Sequence, residues 1–378
     1  MSYLARGTKT VCKLSVVVLL LLAAPVLRAE QAAPKGDAEF RAGWLALVAP
    51  MSAQRKSSAL QARQEARIAA LPHFEAAAKA DPDNVSYRTA LGYVYLAAGK
   101  YQLAKETLDG AISRSKRDPL LYLLRGQAEA ALTQMEPETA SAAVERVMRS
   151  FDDAARLDPT NSLAGLQAAS VAFDAGRRDL GLKKLTEALQ RPGMTLYRLP
   201  IPGDLHASRS NALRIWQYIQ VWQWLELISR CDNVVKTELK LGGEKQETGD
   251  LDGAQALYEQ ALQVAKRIGN ARPNTIVCVN SGINAMEDSY VRLLELARKK
   301  SSKQAEQWEG ELGVLQIGRS ELQGILQTYL KRIEENPPDS VEALLEYEGE
   351  SVGRVMLGIG LTPAKIPEPM VLPKQPKG

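Results

Sequence analysis

Large apolar residues and alanines recur along this chain in a shared register. Phe74, Leu108, Phe151, Leu185 and Tyr258 each stand three positions before an alanine, namely Ala77, Ala111, Ala154, Ala188 and Ala261. The copies lie 34, 43, 34 and 73 residues apart. A three-residue offset places both members on one helix face, so each copy marks a helix with one packed side. In three copies a glycine (Gly99, Gly176, Gly249) stands nine residues before the bulky member, where a turn would separate this helix from an earlier one. Pro82 and Pro159 close the helices of their copies, and Pro119 does so two residues late, because proline lacks an N–H and holds the residue before it away from helical angles. The pattern predicts an all-α chain of stacked helix–turn–helix pairs.

A period of 34 with these residues resembles the tetratricopeptide repeat, a helix–turn–helix unit that stacks into a solenoid. In the clearest copy, residues 85–118, Leu91, Gly92 and Tyr95 take the family's first-helix positions, Gly99 to Tyr101 take the turn, and Ala104, Leu108 and Ala111 take the second helix. The copy from Pro119 to Pro159 keeps Arg125, Gly126 and Ala128 but carries nine extra residues around Thr133 to Glu145, which two longer helices would absorb. In the copy from Ser162 to Gly193, Gly181 stands where alanine is usual. The family's first-helix tryptophan is replaced by Arg88, Tyr122 and Gly165. The resemblance implies a solenoid over residues 37–193, built from three repeats and a preceding half that shows its second helix best (Ala70, Phe74, Ala77). A divergent copy falls near residues 235–268.

The remainder is less periodic. Residues 194–207 form a connector in which Pro200, Pro202 and Gly203 stop any helix. A helical region follows over 208–360. Its first helix, 208–240, is dense in large side chains between Leu213 and Ile228, including Trp216, Tyr218, Trp222 and Trp224. Its polar members (Arg214, Gln217, Gln220, Gln223, Glu226) fall every third residue, so the polar row winds around the helix and the helix must meet different neighbours along its length. Three roles fit this segment: burial between the repeats and the C-terminal helices, an exposed aromatic patch that docks a partner, or a platform for stacking sugars. Two amphipathic helices are expected over 274–300 and 304–335, and a capped one from Val341. These would cover the last apolar face of the stack. The tail, 361–378, is proline-rich and is expected to be extended.

The first 29 residues read as an export signal. Arg6, Lys9 and Lys13 precede an apolar run from Val16 to Ala24 that is short for a membrane span, with cleavage placed after Ala29. An uncleaved anchor is the other reading. Of the 48 Lys and Arg, four lie in this segment, which leaves 44 against 44 Asp and Glu and removes the basis for a nucleic-acid partner. No membrane span is expected after the signal. Cys231 and Cys278 either pack as small apolar residues or form a bridge, which an exported chain permits.

Catalytic chemistry finds little support. The two histidines, His73 and His206, are far apart in sequence, and no metal, cofactor, nucleophile-elbow or phosphate-loop motif is present. Carried over from the resemblance, the concave groove is lined by the exposed side of each first helix: Ser86, Thr89, Tyr93, Leu96; Leu120, Leu123, Gln127, Ala130; Leu163, Leu166, Ser170, Phe173. This set is apolar with a few hydroxyl and amide groups, suited to a hydrophobic or amphipathic segment or to the protein's own C-terminal helices. It lacks the basic cluster that relatives use to clamp a partner's terminal carboxylate. The expected function is a non-catalytic scaffold for protein partners of the cell envelope, with no cofactor. Tyr93, Leu96, Leu123, Gln127, Ser170, Phe173, Trp216 and Trp222 are the candidate contacts. The alternative is a periplasmic glycan- or peptide-binding module that uses the Trp216–Trp224 helix.

Overall fold

Each repeat is held by a bulky side chain of its second helix seated on a glycine or alanine of its first. A Cβ on Gly92 would lie 2.7 Å from Leu108, one on Gly126 2.8 Å from Phe151, and one on Gly165 2.8 Å from the Cβ of Ala188. Any larger residue would force the paired backbones apart, which is why the trio recurs. Gly99, Gly176 and Gly249 have φ of 76°, 70° and 86°, the left-handed conformation that lets the chain reverse between helices.

The computed structural model describes residues 36–52, 59–135, 140–206, 209–336 and 338–364. The expected export signal, most of the proline-rich tail and residues 136–139 of the third copy's extra segment lie outside them. The described residues form helices with no β-strand, only isolated bridges. Helices α1 (Asp37–Val48) and α2 (Ala59–Ala80) form the first pair. They are followed by α3 (Val85–Ala97) with α4 (Tyr101–Arg114), α5 (Pro119–Met135) with α6 (Ala140–Leu157), and α7 (Leu163–Asp174) with α8 (Arg178–Leu189). Each helix packs on the next, giving an all-α solenoid.

One detail differs from the sequence-based expectation and one follows it. The half repeat before Pro82 has a full partner: α1 supplies its first helix, and Gly43 sits against the Phe74 ring with a would-be Cβ at 2.9 Å. The extra residues of the third pair lengthen both helices, to 17 residues in α5 and 18 in α6 against 13 and 14 in the pair before.

After α8 the connector crosses the end of the stack and is pinned to a later loop, Leu196 N–H donating to Arg272 C=O (2.7 Å) and Arg272 N–H to Met194 C=O (2.9 Å). A single helical turn, Gly203–His206, leads into one long rod. The rod begins as α9 (Arg209–Tyr218), widens to a π-helix over Ile219–Trp224, and continues as α10 (Leu225–Glu247). At the π-helix exit, Leu225 N–H donates to Gln220 C=O, five residues back. The widening shifts the register of the rod, so large residues before and after it face different neighbours. The α9 end packs on α1 and on the C-terminal helix, while α10 packs on α7.

The rod runs past the expected end near Lys240 because Gly242 is a packing position, not a stop. A Cβ there would lie 2.3 Å from the Tyr258 ring. With α11 (Leu251–Gly269), α10 thus repeats the glycine-on-bulky arrangement of the earlier pairs. Helices α12 (Ile276–Lys299), α13 (Gln304–Glu335) and α14 (Val341–Gly358) complete the chain, the last capped by the Ser340 hydroxyl, which accepts from Ala343 N–H at 3.2 Å.

Candidate functional site: the concave groove

First helices α3, α5 and α7 present Tyr93, Leu123, Gln127 and Ser170 from one side of the stack. All four are buried. Their cover is the chain's own rod. Tyr218 Oη lies 3.5 Å from Tyr93 Oη, and Gln167 of α7 donates its amide to Leu227 C=O at 3.0 Å. The same amide lies 3.6 Å from Cys231 Sγ. Leu96 and Phe173, at the groove's edge, are half-buried. Of the two readings of the apolar groove, the structure therefore places the protein's own C-terminal helices in it. Tyr93, Leu123, Gln127 and Ser170 face α9 to α10 rather than solvent, which corrects their assignment as open partner contacts. The physical reason is their composition: an apolar row this continuous is stabilised most by a permanently adjacent helix.

What remains of the groove is a crevice of about 30 Å³ between α3, α5 and the rod, lined by Leu96, Leu120, Leu124, Gln223 and Glu226 among others. That is room for about one water molecule. At its rim Leu96 is half-buried and Glu226 exposed, while Tyr93, Leu123 and Gln127 beneath are buried.

The aromatic segment of the rod is mostly interior. Trp216 is 7% exposed, with its indole N–H 3.0 Å from Glu348 Oε2 and its ring centroid 5.7 Å from that of Tyr329. With edge and face both engaged, Trp216 offers no stacking platform. Trp224 and Gln223 both donate to the Tyr197 carbonyl of the connector, at 2.9 and 3.1 Å. Tyr218 meets Trp44 of α1 edge-on at 5.9 Å, and Trp44 in turn donates to Pro200 C=O at 3.0 Å. The Trp222 backbone belongs to the π-helix, and its side chain lies outside the description. Of the three roles open to this segment, burial between the repeats and the C-terminal helices is the one realised at Trp216, Tyr218 and Trp224.

Sequence reasoning missed the residue that ties the rod to the C-terminus. Glu348, 1% exposed on α14, accepts from Ile276 N–H at the start of α12 (2.7 Å), from Trp216 and from Gln220. Burial pushes its carboxyl up to about 8 against the pull of these three donors. On α10, Glu238 is fully buried with neither carboxylate oxygen hydrogen-bonded, and burial pushes it up to about 7 although Arg178 acts in the opposite sense. The only signal for either in the sequence is a glutamate at an apolar position of a helical stripe, as Glu348 is beside Leu344, Leu345 and Val352.

Cys231 and Cys278 are buried, unbridged thiols on α10 and α12, each pushed up to about 12 by burial. Of the two roles open to them, they fill the apolar one. His73 is a surface residue whose Nδ1 lies 2.7 Å from Glu39 Oε2 of α1. No helix among the described residues is long and apolar enough to cross a membrane.

Comparison with known proteins bears on the repeats. Residues 62–128 match the family model of the tetratricopeptide repeat. No curated protein matches the chain. Among solved structures, a thermophilic TPR protein of Thermus thermophilus is 21% identical, aligns over 65% of this chain and 99% of its own, and superposes with a TM-score of 0.33. The matched segment spans α2 to most of α5, the stretch that holds Phe74, Leu108 and Gly92, and over these residues the chain is similar to tetratricopeptide-repeat proteins.

Proposed function

We propose that this chain is an exported, non-catalytic scaffold that binds a segment of an envelope protein along the rim of its groove, with its own rod as the permanent floor. Tetratricopeptide repeats serve in general as protein-interaction scaffolds, and the basic-then-apolar N-terminus through Ala29 supports export. The observation that carries the binding reading is the edge of the crevice, which half-buried Leu96 and exposed Glu226 line together. An amphipathic helix or extended strand with one or two apolar anchors fits such an edge, its affinity resting on those anchors rather than on a deep pocket. The glycan-binding alternative loses support with the burial of Trp216 and Trp224.

A photo-crosslinking residue at position 96 or 226, introduced in the native host, tests this reading. Capture of one dominant protein from both positions, and not from Leu103 on the second helix α4, is the expected result. Equal yields from all three positions would count against the rim.

A further inference from the structure

Helix α13 is the longest among the described residues at 32 residues, and one of its faces meets no other described residue. Its inner side packs through Leu315, Leu322, Tyr329 and Ile333, all buried. Midway along the outer side, Val314 is 40% and Ile317 63% exposed. Glycine at 310, 313 and 324 continues the same stripe, and a Cβ built on any of the three meets nothing within 4 Å. Elsewhere in the helices, Gly43, Gly92, Gly126, Gly165 and Gly242 are each explained by a side chain of this chain lying where their Cβ would be. A glycine in a helix interior costs about 1 kcal/mol relative to alanine. Nothing among the described residues offsets that cost at these three positions of α13.

We infer that this face is where a second copy of the chain docks, the two α13 helices pairing antiparallel about a two-fold axis at position 319. The charges at the two ends of the stripe select that occupant. At one end stand Lys303 and Glu306, at the other Arg332 and Glu335, all exposed. Antiparallel pairing about position 319 sets Lys303 against Glu335 and Glu306 against Arg332, twice over by symmetry. The same register seats Val314 on Gly324 and Gly310 against Thr328, and sets Ile317 against the aliphatic stem of exposed Glu321 in each copy. The two Ile317 side chains then fall about 6 Å apart along the axis, given a rise of about 1.5 Å per residue. Self-complementarity of this kind is what an isologous interface requires. Arg332 stacks on Tyr347 at 4.5 Å and Lys331 lies 3.9 Å from Glu335, contacts that hold the basic end of the stripe in place without covering it.

The helix extends about 48 Å and is about 10 Å wide. Two such faces bury on the order of 1,000 Å² in total, near the lower limit for a specific interface, so the dimer is expected to be concentration-dependent.

Sedimentation of the full chain lacking residues 1–29, over a concentration series into the hundred-micromolar range, tests the proposal together with two charge-reversed forms. One form carries Lys303→Glu and Glu306→Lys, the other Arg332→Glu and Glu335→Lys, each checked for wild-type helicity by circular dichroism. The expected result is a wild-type dimer, two forms that are monomeric alone, and a doubled mass when they are mixed one to one. Ile317→Asp should weaken the wild-type dimer at least tenfold. A wild-type chain monomeric throughout the series overturns the proposal. So does a dimer insensitive to Ile317→Asp, a mixture that stays monomeric, or capture of a different protein through position 317.

Discussion

Replacing Glu348 by glutamine should remove a pH dependence from the stability of the fold. The carboxyl is an ordinary one near 4.5 in the unfolded chain and is held up to about 8 in the folded one, where burial outweighs the three donors around it. A group with a raised folded value stabilises most fully below its unfolded value, where both states carry the proton. As pH rises from 4.5 the unfolded chain ionises first, and the contribution declines by about 1.4 kcal/mol per pH unit until the folded carboxyl also ionises. Between pH 5 and 8 the wild type should therefore lose about 4 kcal/mol relative to Glu348→Gln, which cannot ionise. At pH 5 the variant should be the less stable by about 1–3 kcal/mol, since its amide has a single acceptor oxygen and its NH2 must face either Ile276 N–H or the Trp216 and Gln220 donors. The two curves should cross as pH rises. Urea unfolding at pH 5, 6, 7 and 8, followed by the fluorescence of buried Trp216 and Trp224, measures this directly. Parallel curves for wild type and variant would refute the reasoning. A smaller decline from Glu238, pushed up to about 7, should persist in both proteins.

Other outcomes follow from the packing. Gly92→Val places a Cβ 2.7 Å from Leu108, and overpacking at this site should cost about 1–3 kcal/mol in the same urea assay. Asn84→Ala removes the side-chain acceptor of Tyr87 N–H (3.2 Å) that caps α3, an expected loss of about 1 kcal/mol. Cys231 and Cys278 should resist a thiol-disulfide reagent at pH 8 in the folded protein and react stoichiometrically once it is unfolded. Fast reaction of the native protein would contradict their burial.

The repeats were legible because their rule is local. A bulky residue three before an alanine, a glycine nine before it, and a closing proline are all set by two adjacent helices, so sequence spacing carries them. The same rule extended to Gly242 and Tyr258 in the divergent copy, but Gly43 of α1 was missed because no turn glycine leads from α1 to α2. The groove was half legible. Tyr93, Leu123, Gln127 and Ser170 were placed on the first-helix row by the resemblance to the repeat, but whether solvent or the chain itself covers that row depends on where the rod returns. That return is set by long-range contacts such as Trp44 to Pro200 and Gln167 to Leu227, which have no spacing signature. The π-helix was also hidden, since the every-third polar row around Gln220 and Gln223 shows only that no single face of the rod is dry. Glu348 was hidden because its donors come from α9, the π-helix and α12, more than 70 residues away.

The central claim is that the rod from α9 to α10 is a permanent part of the groove. Native-state hydrogen exchange tests it most directly, by comparing amides of residues 219–231 with those of 89–96 on α3. If the rod is packed as described, both sets should exchange only with global unfolding, at a common slowest rate. If residues 219–231 exchange orders of magnitude faster while α3 stays protected, the rod is a detachable cover and the account of the groove is wrong.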